Sequence, residues 1–147
     1  MSSHFTKEGE TFGPPMIGAL LRTPWEAVQR HMLDRLHQDG LDDFDAAHLI
    51  VFQYPGPQGA RPSELAARLR ITKQALNYLL GQLEGRGYLE RRPDPGDKRS
   101  KRIVLTQRGV DAIRVIREAV DEMEQAWAKE LGQRRFDELK KLLVELS

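Results

Sequence analysis

Between Pro62 and Leu105 the hydrophobic pattern changes from a helical to a strand-like period, and the order of the pieces constrains the fold more than any other feature. Pro62 suits the first turn of a helix to Leu69, with Leu65, Ala66 and Leu69 facing inward. After Arg70-Ile71, Thr72 is placed to cap a second helix from Lys73 to about Glu84. Its apolar side is Ala75, Leu76, Leu79, Leu80 and Leu83, and Gly85 and Gly87 stop it. Tyr88 to Arg92 and Lys101 to Leu105 then read as short strands. They are joined by a long, turn-rich and basic loop from Pro93 to Ser100.

Helical patterns flank this module. Ile17, Leu20, Leu21, Trp25, Val28, Met32 and Leu36 recur at spacings of three and four and form one helix face, closed by Gly40. Pro24 interrupts that stripe, and Thr23-Pro24-Trp25-Glu26 has the form of a capping box. Two outcomes follow: one kinked helix, or a short turn and then a helix from Pro24 to about His37. Asp43 is the expected cap of the next helix, with Phe44, Ala47, His48 and Val51 on one face and an end forced by Pro55. Beyond Thr106, Ile113, Ile116, Val120, Met123 and Trp127 mark a long helix to about Leu131. Gly132 breaks it before a last helix carrying Phe136, Leu139, Leu142, Leu143 and Leu146. The expected organisation is a flexible N-terminal arm (1–13), a dimerisation helix (14–40), a winged helix-turn-helix module (41–110) and C-terminal dimerisation helices (111–147).

Charge is distributed unevenly along that plan. Residues 1–60 sum to −4, residues 61–109 to +7 and residues 110–147 to −2, so the net +1 conceals a basic middle between acidic flanks. Such a middle suits a phosphate-binding module in a non-binding frame. The chain has no cysteine, which excludes a disulfide framework, a thiolate zinc site and a cysteine redox switch. No apolar run approaches the ~18 residues of a membrane span. Met1 to Glu10 lacks the basic head and apolar stretch of an export signal, so a cytoplasmic location is expected. His4, His31, His37 and His48 show no metal-ligand spacing, and no Gly-rich phosphate loop or nucleophile elbow is present. The expectation is a protein that is not an enzyme and needs neither metal nor cofactor.

A helix-turn-helix sets its second helix in the major groove of DNA, so that helix's outer face should carry hydrogen-bonding side chains. Here that face is Lys73, Gln74, Asn77 and Tyr78, with Gln82 and Arg86 assigned to an ordinary polar surface. Gln and Asn can pair with adenine, and Lys with guanine or phosphate. The hairpin tip gathers Lys98, Arg99, Lys101 and Arg102, with Arg91 and Arg92 on the opposite strand. A basic tip can enter the minor groove, where negative potential favours Arg. Asp97 is expected to hold the Arg99 guanidinium, and Asp94 to shape the turn without contacting anything else.

The stretches Arg61-Pro62-Ser63-Glu64-Leu65-Ala66, Gly87-Tyr88-Leu89-Glu90-Arg91, Asp94-Pro95-Gly96-Asp97-Lys98-Arg99 and Leu105-Thr106-Gln107-Arg108-Gly109 resemble the MarR family of bacterial regulators, over roughly residues 42–131. The resemblance implies a winged helix with Arg99 as the minor-groove arginine, Asp97 as its orienting partner, and Lys73, Gln74 and Asn77 as recognition-helix contacts. It also implies a homodimer formed by the first and last helices, and a repressor released by a small aromatic or lipophilic effector. Arg70-Ile71 departs from the glycine common in the family's turn.

Dimerisation also follows from apolar surface. Trp25, Met32, Leu36, Trp127, Phe136, Leu142 and Leu143 exceed what one small winged helix buries. A two-fold dimer would read a pseudo-palindromic duplex. A candidate effector pocket lies between the dimer helices and the DNA-reading module, near Trp25, His31, Phe44, His48 and Trp127. The competing functions are a sequence-indifferent DNA binder and a winged helix serving protein association.

Overall fold

The structure, a computed structural model, describes residues 13–147 together with the backbone of Thr6–Lys7 and Glu10–Thr11. Residues 1–5, 8–9 and 12 of the expected N-terminal arm lie outside the described residues. Strands β1 (Thr6–Lys7) and β2 (Glu10–Thr11) pair antiparallel.

Helix α1 spans Ile17–Gln38 without a break and holds Pro24 in its interior. Of the two outcomes left by Pro24, the single helix is the one formed. Thr23 is therefore no cap: its hydroxyl turns back onto the Ala19 carbonyl at 3.4 Å. Gly40, at φ +81°, reverses the chain after α1, and the Leu41 amide donates to the Leu36 carbonyl. The next helix is shorter than its apolar pattern suggests. Helix α2 is only Ala46–Leu49, followed by a 3-10 turn at Ile50–Phe52. Its cap is Asp45, because the Asp43 carboxylate is taken by Tyr88 and Arg108.

Helices α3 (Pro62–Leu69) and α4 (Lys73–Gly85) follow the sequence pattern closely. Thr72 caps α4 by accepting the Ala75 amide at 3.0 Å. Between them Arg70 adopts φ 56° and ψ 41°, the left-handed conformation that the helix-turn-helix corner requires and that a glycine adopts without strain. Strands β3 (Leu89–Asp94) and β4 (Asp97–Leu105) pair antiparallel, with Arg91 opposite Ile103 and Pro93 opposite Lys101. The expected long loop is replaced by strand nearly to the tip, and Pro95-Gly96 alone makes the turn. On its other side β4 is joined by the segment before α3, where Gly59 donates to the Ile103 carbonyl and Ile103 to that of Ala60.

Helix α5 (Gln107–Leu131) starts on the Thr106 cap, which accepts the Gly109 amide, and Gly132 separates it from α6 (Gln133–Glu145). Gly109 is needed for packing: a Cβ there would lie 2.0 Å from the Tyr88 carbonyl oxygen, so only glycine lets α5 begin against the base of the hairpin.

The core joins all these pieces. Leu36, Phe44, Val51, Leu65, Leu76, Leu80, Leu83, Tyr88, Ile103 and Val115 are fully buried. The Phe44 ring meets those of Phe52 and Tyr88 at centroid distances of 5.1 Å. Each such side chain contributes about 1.5–3 kcal/mol through burial, so loss of any one is felt throughout this small core. Met32, Leu36 and Phe136, expected to need a partner surface, are buried within the chain, and Trp127 is half-buried. What stays exposed is Ile17, Leu20, Leu21 and Trp25 on α1, and Leu139, Leu142 and Leu143 on α6. Among the described residues no helix is long and apolar enough to cross a membrane.

Candidate nucleic-acid interface

Helix α4 divides its residues between two faces. Leu76, Leu80 and Leu83 point into the core, and Lys73, Gln74, Asn77 and Tyr78 are exposed. One turn and one residue apart, these polar side chains form a continuous strip on the outer side of the helix. Ala75, expected inside, is exposed, and Leu79 is half-buried.

The hairpin is fastened to this strip by Arg91. Its guanidinium donates to the Asn77 side-chain oxygen at 3.3 Å and to Glu84 at 3.2 Å, and its backbone amide donates to Glu84 at 3.1 Å. These bonds lower the Glu84 carboxyl below the usual range, the side-chain bond from Arg91 most of all, and the nearby charge of Lys101 adds to the effect. By strand alternation Lys101 shares the sheet face of Ile103, whose cross-strand partner is Arg91, while a register shift beyond Pro93 takes Arg99 out of that alternation. One wing cation, Lys101, thus lies on the side of the hairpin that meets α4.

The cations divide into two groups. Arg92 pairs with Glu90 at 2.8 Å, and Arg108 with Asp43 at 2.8 Å. Arg61 and Arg102 both grip Asp94, at 2.7 and 3.0 Å. Lys73, Lys98, Arg99 and Lys101 are exposed and make no ion pair among the described residues.

Asp94 corrects an expectation. It does shape the turn, accepting the Gly96 amide at 3.0 Å, but it is also the buried anchor of the hairpin, only 2% exposed. The Gly96 amide, then Arg102 and Arg61, hold its carboxyl down at about 2. Asp97 is a second correction. It accepts the backbone amide of Arg99 at 3.0 Å and the Ser100 hydroxyl at 3.1 Å, so it fixes the backbone below Arg99 and leaves the guanidinium unheld.

A further cluster sits where α4, β3 and α5 meet. Tyr88 donates its hydroxyl to Asp43, and Arg108 donates to the same oxygen while lying 4.6 Å over the Tyr88 ring. Burial, reinforced by Asp43, pushes the Tyr88 hydroxyl up to about 12. No sequence spacing pointed to this cluster.

The expected pocket residues do not assemble. A cleft of about 600 Å³ opens between α1, the 3-10 turn and α5, lined by Trp25, Val28, Phe52, Ile113, Ile116 and Val120 among others. Of the five expected residues only Trp25 lines it. Phe44 and His48 are buried in the core, and His31 bonds Glu122 at 2.7 Å, beside an Arg35 ion pair that ties α1 to α5. Apolar stripes identify helix faces, and they do not separate residues that line a cleft from residues that fill a core.

A helix-turn-helix followed by a two-stranded wing, with the second helix exposed along one polar strip, defines a winged helix-turn-helix protein. Residues 46–100 match the model of the MarR family. Over 85 residues the chain is 29% identical to an uncharacterized HTH-type transcriptional regulator, YkoM, of Bacillus subtilis (strain 168). That match covers 58% of this chain and about half, 54%, of the relative. The fold is shared with a MarR transcriptional regulator from Methanosarcina mazei Go1 (TM-score 0.72, 20% identity, 88% of this chain and 92% of that one). It is shared also with MepR of S. aureus in a DNA complex (TM-score 0.68, 22% identity, 90% and 97%). The likeness to the MarR family model thus covers the helix-turn-helix and most of the wing.

Proposed function

We propose that this chain is a sequence-specific, double-stranded-DNA-binding transcriptional regulator. It acts in the cytoplasm as a homodimer that represses until a small aromatic or lipophilic effector releases it. One observation carries the proposal: the polar strip of α4 and the unpaired cation Lys101 belong to one side of the module, joined through Arg91, and Arg99 stands unpaired near the tip of the same hairpin. Positive groups without protein partners suit phosphates and the minor groove, and Lys73, Gln74, Asn77 and Tyr78 suit base edges. The DNA complex of MepR supports that mode of use for this fold. The exposed apolar residues of α1 and α6 support a two-fold dimer, and the cleft beside Trp25 supports an effector site.

Selection from random duplexes tests the proposal. Enriched sites should be pseudo-palindromic, with half-sites one helical turn or a multiple of it apart. Salt-steep binding with no enriched sequence would favour a sequence-indifferent DNA binder, and absence of binding a protein-association module. Aromatic acids should raise the melting temperature and weaken operator binding; a panel that changes neither contradicts the effector part.

A further inference from the structure

Behind the exposed strip of α4 a buried histidine has a hydrogen-bonding direction imposed on it. His48, 1% exposed, receives the backbone amide of Asp45 on Nδ1 at 2.9 Å. A backbone N–H can only donate, so Nδ1 carries no hydrogen and the ring's hydrogen sits on Nε2. Nε2 lies 2.9 Å from the Gln82 side-chain oxygen, which must therefore be the acceptor. That fixes the Gln82 amide with its NH₂ toward Tyr78, whose hydroxyl oxygen it reaches at 3.1 Å. Each link settles the polarity of the next, from a turn in the core to the surface of α4.

From this chain of bonds we infer that His48 and Gln82 are positioning residues that set Tyr78, 67% exposed, as an outward hydrogen-bond donor to an acceptor atom on DNA. The Tyr78 oxygen already accepts from Gln82, so its own hydrogen is directed away from the protein. Purine N7, guanine O6, thymine O4 and the phosphate oxygens are the acceptors that the major groove and backbone of a duplex offer such a donor. The inference rests on the DNA-binding function proposed above and adds the direction of one contact. It also gives His48, a core residue, a part in recognition.

The test is a double-mutant cycle on the full chain with its selected duplex. Gln82→Glu keeps shape and still accepts from His48, but the new carboxylate has no hydrogen for Tyr78, so the Tyr78 hydroxyl must turn inward and donate to it. Tyr78→Phe should weaken binding about tenfold in the wild-type background, as expected for one hydrogen bond. In the Gln82→Glu background it should change affinity less than about twofold. The charge added by Gln82→Glu is common to both arms of that comparison and cancels. Equal losses in the two backgrounds overturn the inference while leaving the regulator proposal intact; a wild-type chain that selects no sequence overturns both. Should Gln82→Glu fail to fold, side-chain nitrogen NMR of the wild-type chain decides: hydrogen on Nε2 of His48 is expected, and hydrogen on Nδ1 contradicts it. Replacing each purine of the site by its 7-deaza analogue separates N7 from the other acceptors. If N7 is the acceptor, one replacement costs the wild type about tenfold and Tyr78→Phe nothing; if it is a base carbonyl or a phosphate oxygen, every replacement costs the two proteins equally.

Discussion

The clamp around Asp94 and the unpaired tip of the wing are built from the same basic side chains and use them in opposite ways. In the clamp, Arg61 and Arg102 converge on the buried carboxylate of Asp94, beside the hairpin turn, and Arg102 also donates to the Gly59 carbonyl at 2.7 Å. These cations are structural, clamping α3, the segment before it and both strands. At the tip, Lys98, Arg99 and Lys101 have no ion-pair partner among the described residues, and Asp97 serves the backbone beneath them. A positive sequence segment is therefore no measure of its binding charge. Of the twelve basic side chains in residues 61–109, six are held in ion pairs, and the proposed function falls to those that are not.

The clamp should give the largest effect. Asp94→Asn leaves two arginines facing a neutral amide and should lower the melting temperature by about 5 °C or more, with loss of wing order and DNA affinity together. An unchanged melting curve would mean that the clamp holds nothing. The same carboxylate gives the clamp a pH dependence of known sign. Its folded pKa of about 2 lies below the ordinary carboxylate value. Its stabilising contribution should be complete above about pH 4 and disappear as pH falls toward 2. Amide spectra of the hairpin should lose dispersion over that range in the wild type, and Asp94→Asn should lack the transition.

The tip should behave in the reverse way. Arg99→Ala should reduce operator affinity by about 1–3 kcal/mol with an unmoved melting temperature. A thermal shift without an affinity change would assign Arg99 to the clamp's class. Lys98→Ala is a smaller perturbation, expected to weaken binding similarly on all duplexes and to reduce the salt slope by about one. Titrations at several salt concentrations measure it, and an unchanged slope would remove Lys98 from the phosphate contacts. Least consequential is Arg92→Ala. Its ion pair with Glu90 is exposed on both sides, so stability should move by no more than about 0.5 kcal/mol in a denaturant melt.

Local signals were legible in the sequence wherever the physics is local. Thr72 and Thr106 cap the helices they precede, Pro62 opens α3, and Gly40 and Gly132 close helices. The exposed strip of α4 followed from helical period alone, because Leu76, Leu80 and Leu83 must face the core. What was not legible depends on contacts closed by the fold. Asp43 precedes an apolar pattern as a cap would, yet Tyr88 and Arg108, far along the chain, claim it, and Asp45 takes its place. Asp94 looks like a turn residue until the segment before α3 brings Arg61 to it. The tight Pro95-Gly96 turn did carry a short-range signal, a two-residue glycine-containing link, but the cluster of turn formers around it masked the strands' true length.

The central claim is that the unpaired tip cations, and not the cations clamped on Asp94, meet DNA. Arginine side-chain nitrogen spectra recorded as a selected duplex is added test this directly. The Nε signal of Arg99 should move with DNA and return with added salt, while those of Arg61 and Arg102 stay in place. Movement of Arg61 and Arg102 with a stationary Arg99 would contradict the account.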